Sequence, residues 1–187
     1  MDNSETGLNE KNKQILLEIA RTSVRAAVTG SPASTIECQD EELKTLCGCF
    51  VTLKNAKDLR GCIGQFVSEK PLHQLVCEMA ASSATHDSRF FSNPITADEL
   101  DEIDIELSVL SPLEKTDDPG GLRLGIDGIY IVRAGRTGCF LPQVATETGW
   151  TTEEFLSYCC EHKAGLEPDA WKDPKTEVYL FTAEVYP

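Results

Sequence analysis

At 187 residues the chain suits one domain, or one domain with two lobes, and it can bury roughly 70% of its unfolded surface without disulfide staples. Its formal charge of −14, from 31 acidic against 17 basic residues, argues against nucleic acid or anionic membrane as main partners, because both need a basic surface. No transmembrane run is visible, and the polar, acidic start Met1-Asp2-Asn3-Ser4-Glu5-Thr6 is unlike a secretory leader, so a cytoplasmic protein with reduced thiols is expected.

Residues 1–8 read as a flexible tail and 9–187 as a single domain. Asn9 to about Thr29 is helical, with Ile15, Leu16, Ile19, Ala20, Val24, Ala27 and Val28 near one face, Asn9 as cap and Gly30-Ser31-Pro32 as stop. An acidic loop follows to about Thr45. Residues 47–53 alternate as a strand, 54–58 turn, and Leu59 to Ile63 returns as the second arm of a hairpin. Alternation puts Val51, Leu53, Leu59 and Ile63 on the core face with Cys47 and Cys49. It sends Arg60 and Cys62 to the other face, beside Phe50 and Thr52.

A second helical stripe runs over 71–85, ending at the charged, aromatic junction His86-Asp87-Ser88-Arg89-Phe90-Phe91. Thr96-Ala97-Asp98-Glu99 is a capping box, Ile103 to Val109 a half-exposed strand, and 111–125 a surface loop. Asp127-Gly128 is a turn signal. Strands are expected over 129–133 and 138–141, with Pro142-Gln143 as a break. Thr151 to Glu154 caps a helix that Gly165 closes, and 178–185 reads as one buried final strand. Hairpins mixed irregularly with helices predict an α+β fold with a largely antiparallel sheet and flanking helices. No cofactor-binding motif and no paired zinc spacing is present, so neither cofactor nor metal is expected.

The centre of the chain is Leu59-Arg60-Gly61-Cys62-Ile63-Gly64. Two glycines weaken a strand, so they mark a bulge or the close approach of a ligand or another backbone. Arginine on the same face favours the thiolate of Cys62, and His86 is a candidate base, which gives nucleophilic chemistry; the alternative is an inert packed cysteine. Arg60 and Arg89, with Gly61, Gly64, Asp87 and the strand-end Gln143, are candidates for binding a small anionic ligand. The alternative for the arginines is internal pairing, Arg89 with Asp87 and Arg60 with a nearby glutamate.

Taken in order, Gly48-Cys49-Phe50-Val51-Thr52-Leu53, the central six residues, Asp87-Ser88-Arg89-Phe90, Leu107-Ser108-Val109-Leu110-Ser111-Pro112, Leu141-Pro142-Gln143-Val144-Ala145 and Lys163-Ala164-Gly165-Leu166 resemble the AMMECR domain family over about residues 10–186. Ser88 stands where that pattern often has proline, and Cys49 where another small residue is common. The resemblance implies two α/β lobes around a cleft near the central motif. It implies no settled activity, and it suggests Memo-like, dioxygenase-related and radical-SAM proteins as partners. Two readings of function follow: a small thiol-dependent enzyme acting on a small anionic metabolite at Cys62 and Arg60, or a non-catalytic binding or adaptor module for those partners.

Overall fold

Asn9 opens the first helix as its sequence requires. In the computed structural model, which describes residues 8–32, 38 and 40–187, the Asn9 side chain accepts the Asn12 N–H at 2.9 Å, and α1 runs over Glu10–Thr29. Gly30, at φ 70°, closes it by returning its N–H to the Ala26 carbonyl. Of the expected tail, 1–7 lie outside the described residues, whereas Leu8 packs against the core.

Two compact units divide the chain. The first holds the described residues up to Leu110 with Glu184–Pro187, and the second holds Ser111–Ala183. In the first, β1 (Cys49–Asn55), β2 (Asp58–Gln65), β3 (Ile103–Leu110) and β8 (Ala183–Tyr186) form a sheet in the order β2-β1-β3-β8. Both β2 and β3 are antiparallel to β1. Cys49, Val51 and Leu53 are wholly buried, as alternation predicts. They join one core with Leu16, Ile19 and Val24 of α1 and Leu72, Leu75 and Met79 of α2 (Leu72–Thr85).

The second unit has a sheet in the order β4-β7-β5-β6, from Glu114–Thr116, Glu177–Phe181, Gly128–Arg133 and Arg136–Phe140. Its core gathers Ile129, Ile131, Phe140, Phe155, Leu156, Cys159 and Val178. The helices here are α3 (Pro142–Thr148) and α4 (Thr152–Tyr158), and α4 continues into a π-helical turn at Cys159–Lys163.

Four expectations are corrected. The 111–125 segment contains β4. Asp127-Gly128 turns no hairpin, because Asp127 is bound to Arg123 and Gly128 begins β5. Pro142-Gln143 starts a helix instead of only ending a strand, since proline fits the first helical turn. The final apolar run is two strands in different sheets, divided at Thr182.

The central hairpin also departs from simple alternation. Leu53 pairs with Gly61 and Lys54 with Leu59, so Arg60 is the extra residue of a β-bulge. The bulge reverses the facing of what precedes it. Leu59, expected in the core, is exposed, and Arg60, expected on the open face, is buried.

Candidate functional site

Cys62 lies past the bulge and keeps its expected face. It pairs with Thr52, whose hydroxyl donates to Sγ at 3.3 Å. Thr52 pairs on its other side with Glu106 of β3, and Glu106 accepts from Lys54 at 2.9 Å. The open sheet face therefore carries a half-buried thiol, a hydroxyl donor and a compensated ion pair.

Because β2 is an edge strand, the outward N–H and C=O of Cys62 have no strand partner. Asp87 and Arg89 take that place. Asp87 Oδ2 accepts the Cys62 N–H at 2.9 Å, and Arg89 Nη2 donates to the Cys62 carbonyl at 3.2 Å. The two side chains hold each other through Nε to Oδ1 at 2.9 Å and Nη2 to Oδ2 at 2.6 Å. The 3-10 turn Ser88–Phe90 makes this possible, since Asp87 caps it and also accepts the Arg89 N–H. The Arg89 guanidinium, with help from the Cys62 N–H, draws the Asp87 carboxyl down to about 2.

That shift has a pH consequence. An unfolded Asp87 regains its ordinary value near 3.8, so between these values the unfolded chain binds more protons than the folded one. The carboxylate's stabilising contribution is complete above about pH 4 and is lost as pH falls towards 2. Urea midpoints at pH 7, 4 and 2.5 check this: the wild type is expected to lose more stability than Asp87→Asn between pH 4 and 2.5.

Arg60 has a different environment from the one expected. Only 8% exposed, it donates Nη1 to the Asn93 carbonyl at 3.2 Å and Nη2 to the Pro94 carbonyl at 3.3 Å. Its Nη2 also reaches Glu99 at 3.0 Å. Glu99, whose other partners are the N–H and hydroxyl of Thr96, is held below the ordinary glutamate value, first by the Thr96 N–H and then by Arg60. The ligand-binding expectation for Arg60 is therefore corrected to a buried cross-link, the internal-pairing alternative.

Gly61 and Gly64 are likewise corrected from ligand contacts to close-packing positions. A Cβ on Gly61 would sit 2.0 Å from the Ser83 carbonyl oxygen of α2, and one on Gly64 would sit 2.3 Å from the Cys49 carbonyl oxygen. At the same approach the buried Ser83 hydroxyl accepts the Ile63 N–H and donates to the Val51 carbonyl, each at 2.8 Å.

His86 is exposed, and its Nδ1 engages the Thr85 hydroxyl at 2.8 Å. No hydrogen bond among the described residues joins it to Cys62, so its role as base to that thiol is not supported by the geometry. Gln143 lies in the second unit, at the start of α3, with its Oε1 buried and unpartnered.

Burial pushes Cys47 and Cys139 up to about 11 and raises Cys49, Cys159 and Cys160 as well. No group of three or more metal-ligating side chains suited to an ion occurs among the described residues. Sequence reasoning missed Thr52, Ser83 and Glu99 as members of this site. Register arithmetic had already put Thr52 beside Cys62, and that signal could have found it. Glu99 was legible only as a cap.

The architecture defines an α+β protein of two antiparallel sheets with a clasped thiol on an edge strand. The fold is similar to that of the crystal structure of the uncharacterized protein PH0010 from Pyrococcus horikoshii, at a TM-score of 0.79 and 36% identity, covering 95% of this chain and 92% of that one. The chain belongs to the AMMECR1 family, whose model matches residues 17–186. A protein of Methanothermobacter thermautotrophicus is 41% identical over 186 residues, covering 96% of this chain and 95% of that protein. One from Aquifex aeolicus is 36% identical over 178 residues, covering 91% and 90%. No helix among the described residues is long and apolar enough to cross a membrane.

Proposed function

We propose that the protein is a small cytoplasmic enzyme in which Cys62 is the nucleophile towards a small anionic electrophile. One observation carries the reading: the residue is held on three sides, by Thr52 at sulfur, Asp87 at its N–H and Arg89 at its carbonyl. A cysteine that merely fills a core needs none of these. In the proposed step the thiolate sulfur forms a bond to an electrophilic carbon, and the carbonyl π electrons move to oxygen. The thiol proton leaves to water. Thr52 donates to the sulfur, and Arg89, half exposed with Nη1 outside its bonds to Asp87 and Cys62, receives the substrate's anionic group. Arg60 takes no part, because its charge is spent inside the fold.

Iodoacetate and iodoacetamide, of similar size but different charge, test this reading. The ratio of their rates at Cys62, read by peptide mass spectrometry, is expected to favour iodoacetate several-fold more in the native than in the urea-unfolded chain. Equal ratios in the two states remove the anion site, and a native Cys62 that resists both reagents removes the nucleophile.

The adaptor reading draws on a separate observation. Phe91 is 63% exposed at the rim of a pocket of about 330 Å³ lined also by Phe90, Pro94 and Ile95. It is favoured if Cys62→Ser keeps the cellular role while Phe91→Ser loses it.

A further inference from the structure

We propose that Asp87 and Arg89 act as one unit that sets the reactivity of Cys62, with Asp87 the positioning residue and Arg89 the charge that the sulfur feels. This rests on the reading of Cys62 as a reactive thiol and assigns its control.

The geometry asks for more than an edge-strand plug. The Arg89 side chain is 55% exposed, and an exposed arginine ordinarily samples many rotamers. Here a carboxylate only 6% exposed grips it by two bonds, and the Phe90 ring lies 5.5 Å beneath it. The guanidinium is thereby fixed against the Cys62 peptide, one residue's length from the sulfur it is proposed to influence.

On the open face Lys54 and Glu106 neutralise each other, and Thr52 is uncharged. On the helix side Ser83 meets the strand and brings no charge. His86, next to Asp87, points its Nδ1 at Thr85. The pair Asp87–Arg89 is therefore the adjustable field at Cys62, and it is balanced: removing one member exposes the opposite charge of the other.

Opposite signs follow. Arg89→Gln leaves the Asp87 carboxylate beside the sulfur and disfavours the thiolate. Asp87→Asn keeps an amide oxygen to accept the Cys62 N–H but releases the full charge of Arg89, which favours the thiolate. The double variant restores the balance. A purely structural clasp gives another pattern, in which either single change loosens β2 and moves reactivity one way.

The experiment is the pH–rate curve for iodoacetamide at Cys62, read by peptide mass spectrometry in the full chain, with thermal melts alongside. At pH 7, Arg89→Gln is expected to slow the reaction roughly three- to tenfold, Asp87→Asn to speed it by a similar factor, and the double variant to return near wild type. Single variants that move the rate in the same direction overturn the proposal. Should Asp87→Asn fail to fold, Arg89→Lys decides: it keeps charge without the fork, so its rate is expected between those of wild type and Arg89→Gln, and equality with Arg89→Gln overturns the proposal. A wild-type Cys62 slower than the other thiols would defeat the enzymatic reading, while the opposite-sign pattern would still stand or fall by itself.

Discussion

Gly61→Ala is expected to cost about 3 kcal/mol or more of folding stability, at or above the top of the usual range for overpacking. The added methyl would lie 2.0 Å from the Ser83 carbonyl oxygen, a backbone atom inside α2 that no rotamer change can move away. Either the helix lifts or β2 shifts, and both break the Ser83 bridge between Ile63 and Val51. The loss falls on the first unit's core, where α2 contributes Leu72, Leu75, Val76 and Met79. Gly120→Ala is the control, since its Cβ would meet only an Asp118 carboxylate oxygen at 3.5 Å. Urea denaturation of both variants checks this, and a Gly61→Ala midpoint equal to wild type would show that the close approach is dispensable.

Arg60→Met is expected to be nearly as damaging, at about 3 kcal/mol, the lower end of the cost of breaking a buried ion pair, because water still reaches Glu99. The change leaves the Asn93 and Pro94 carbonyls and the Glu99 carboxylate without their shared donor. Arg60→Lys restores little, because one ammonium on a flexible stem cannot reproduce a planar fork that meets three groups at once. The pair also has a defined pH window. Glu99 is depressed in the fold, so its contribution is complete above the ordinary glutamate range and fades as pH falls through its lower folded value. Thermal melts at pH 7 and pH 3 measure both effects. An Arg60→Met protein that melts with the wild type would return Arg60 to the candidate ligand contacts.

What could be read in the sequence follows from how local each signal is. The Asn9 cap, the α1 stripe and the α2 stripe depend on neighbours three or four residues away, and the structure contains them. The alternation of Cys49, Val51 and Leu53 is equally local and equally visible. The β-bulge is not local. It depends on how two strands meet, so Leu59 and Arg60 were assigned by a period that the extra residue interrupts. Pro142 ends an extended segment and begins a helix with the same fixed φ, so its presence could not separate the two. Thr182 divides an apolar run that periodicity alone reads as continuous, and sheet membership is decided by distant partners.

Cys62, Asp87 and Arg89 were legible as candidates, but their roles were not. Cys62, Asp87 and Arg89 meet through hydrogen bonds, although 25 residues separate the thiol from the carboxylate. As sequence alone, Asp87 and Arg89 are candidates for ligand contact or for pairing with each other, and they are paired. Arg60, two positions from Cys62, was expected to share its surroundings. The bulge between them separates a buried cross-link from a half-exposed thiol.

Cys62 is proposed as the chain's reactive thiol. The most direct measurement is time-resolved alkylation of the native protein with iodoacetamide at neutral pH, resolved for all eight cysteines by peptide mass spectrometry. The account predicts that Cys62 is labelled first, well ahead of Cys47, Cys49, Cys139, Cys159 and Cys160, whose thiols burial holds protonated. Labelling of Cys62 last, or only after denaturation, would contradict it.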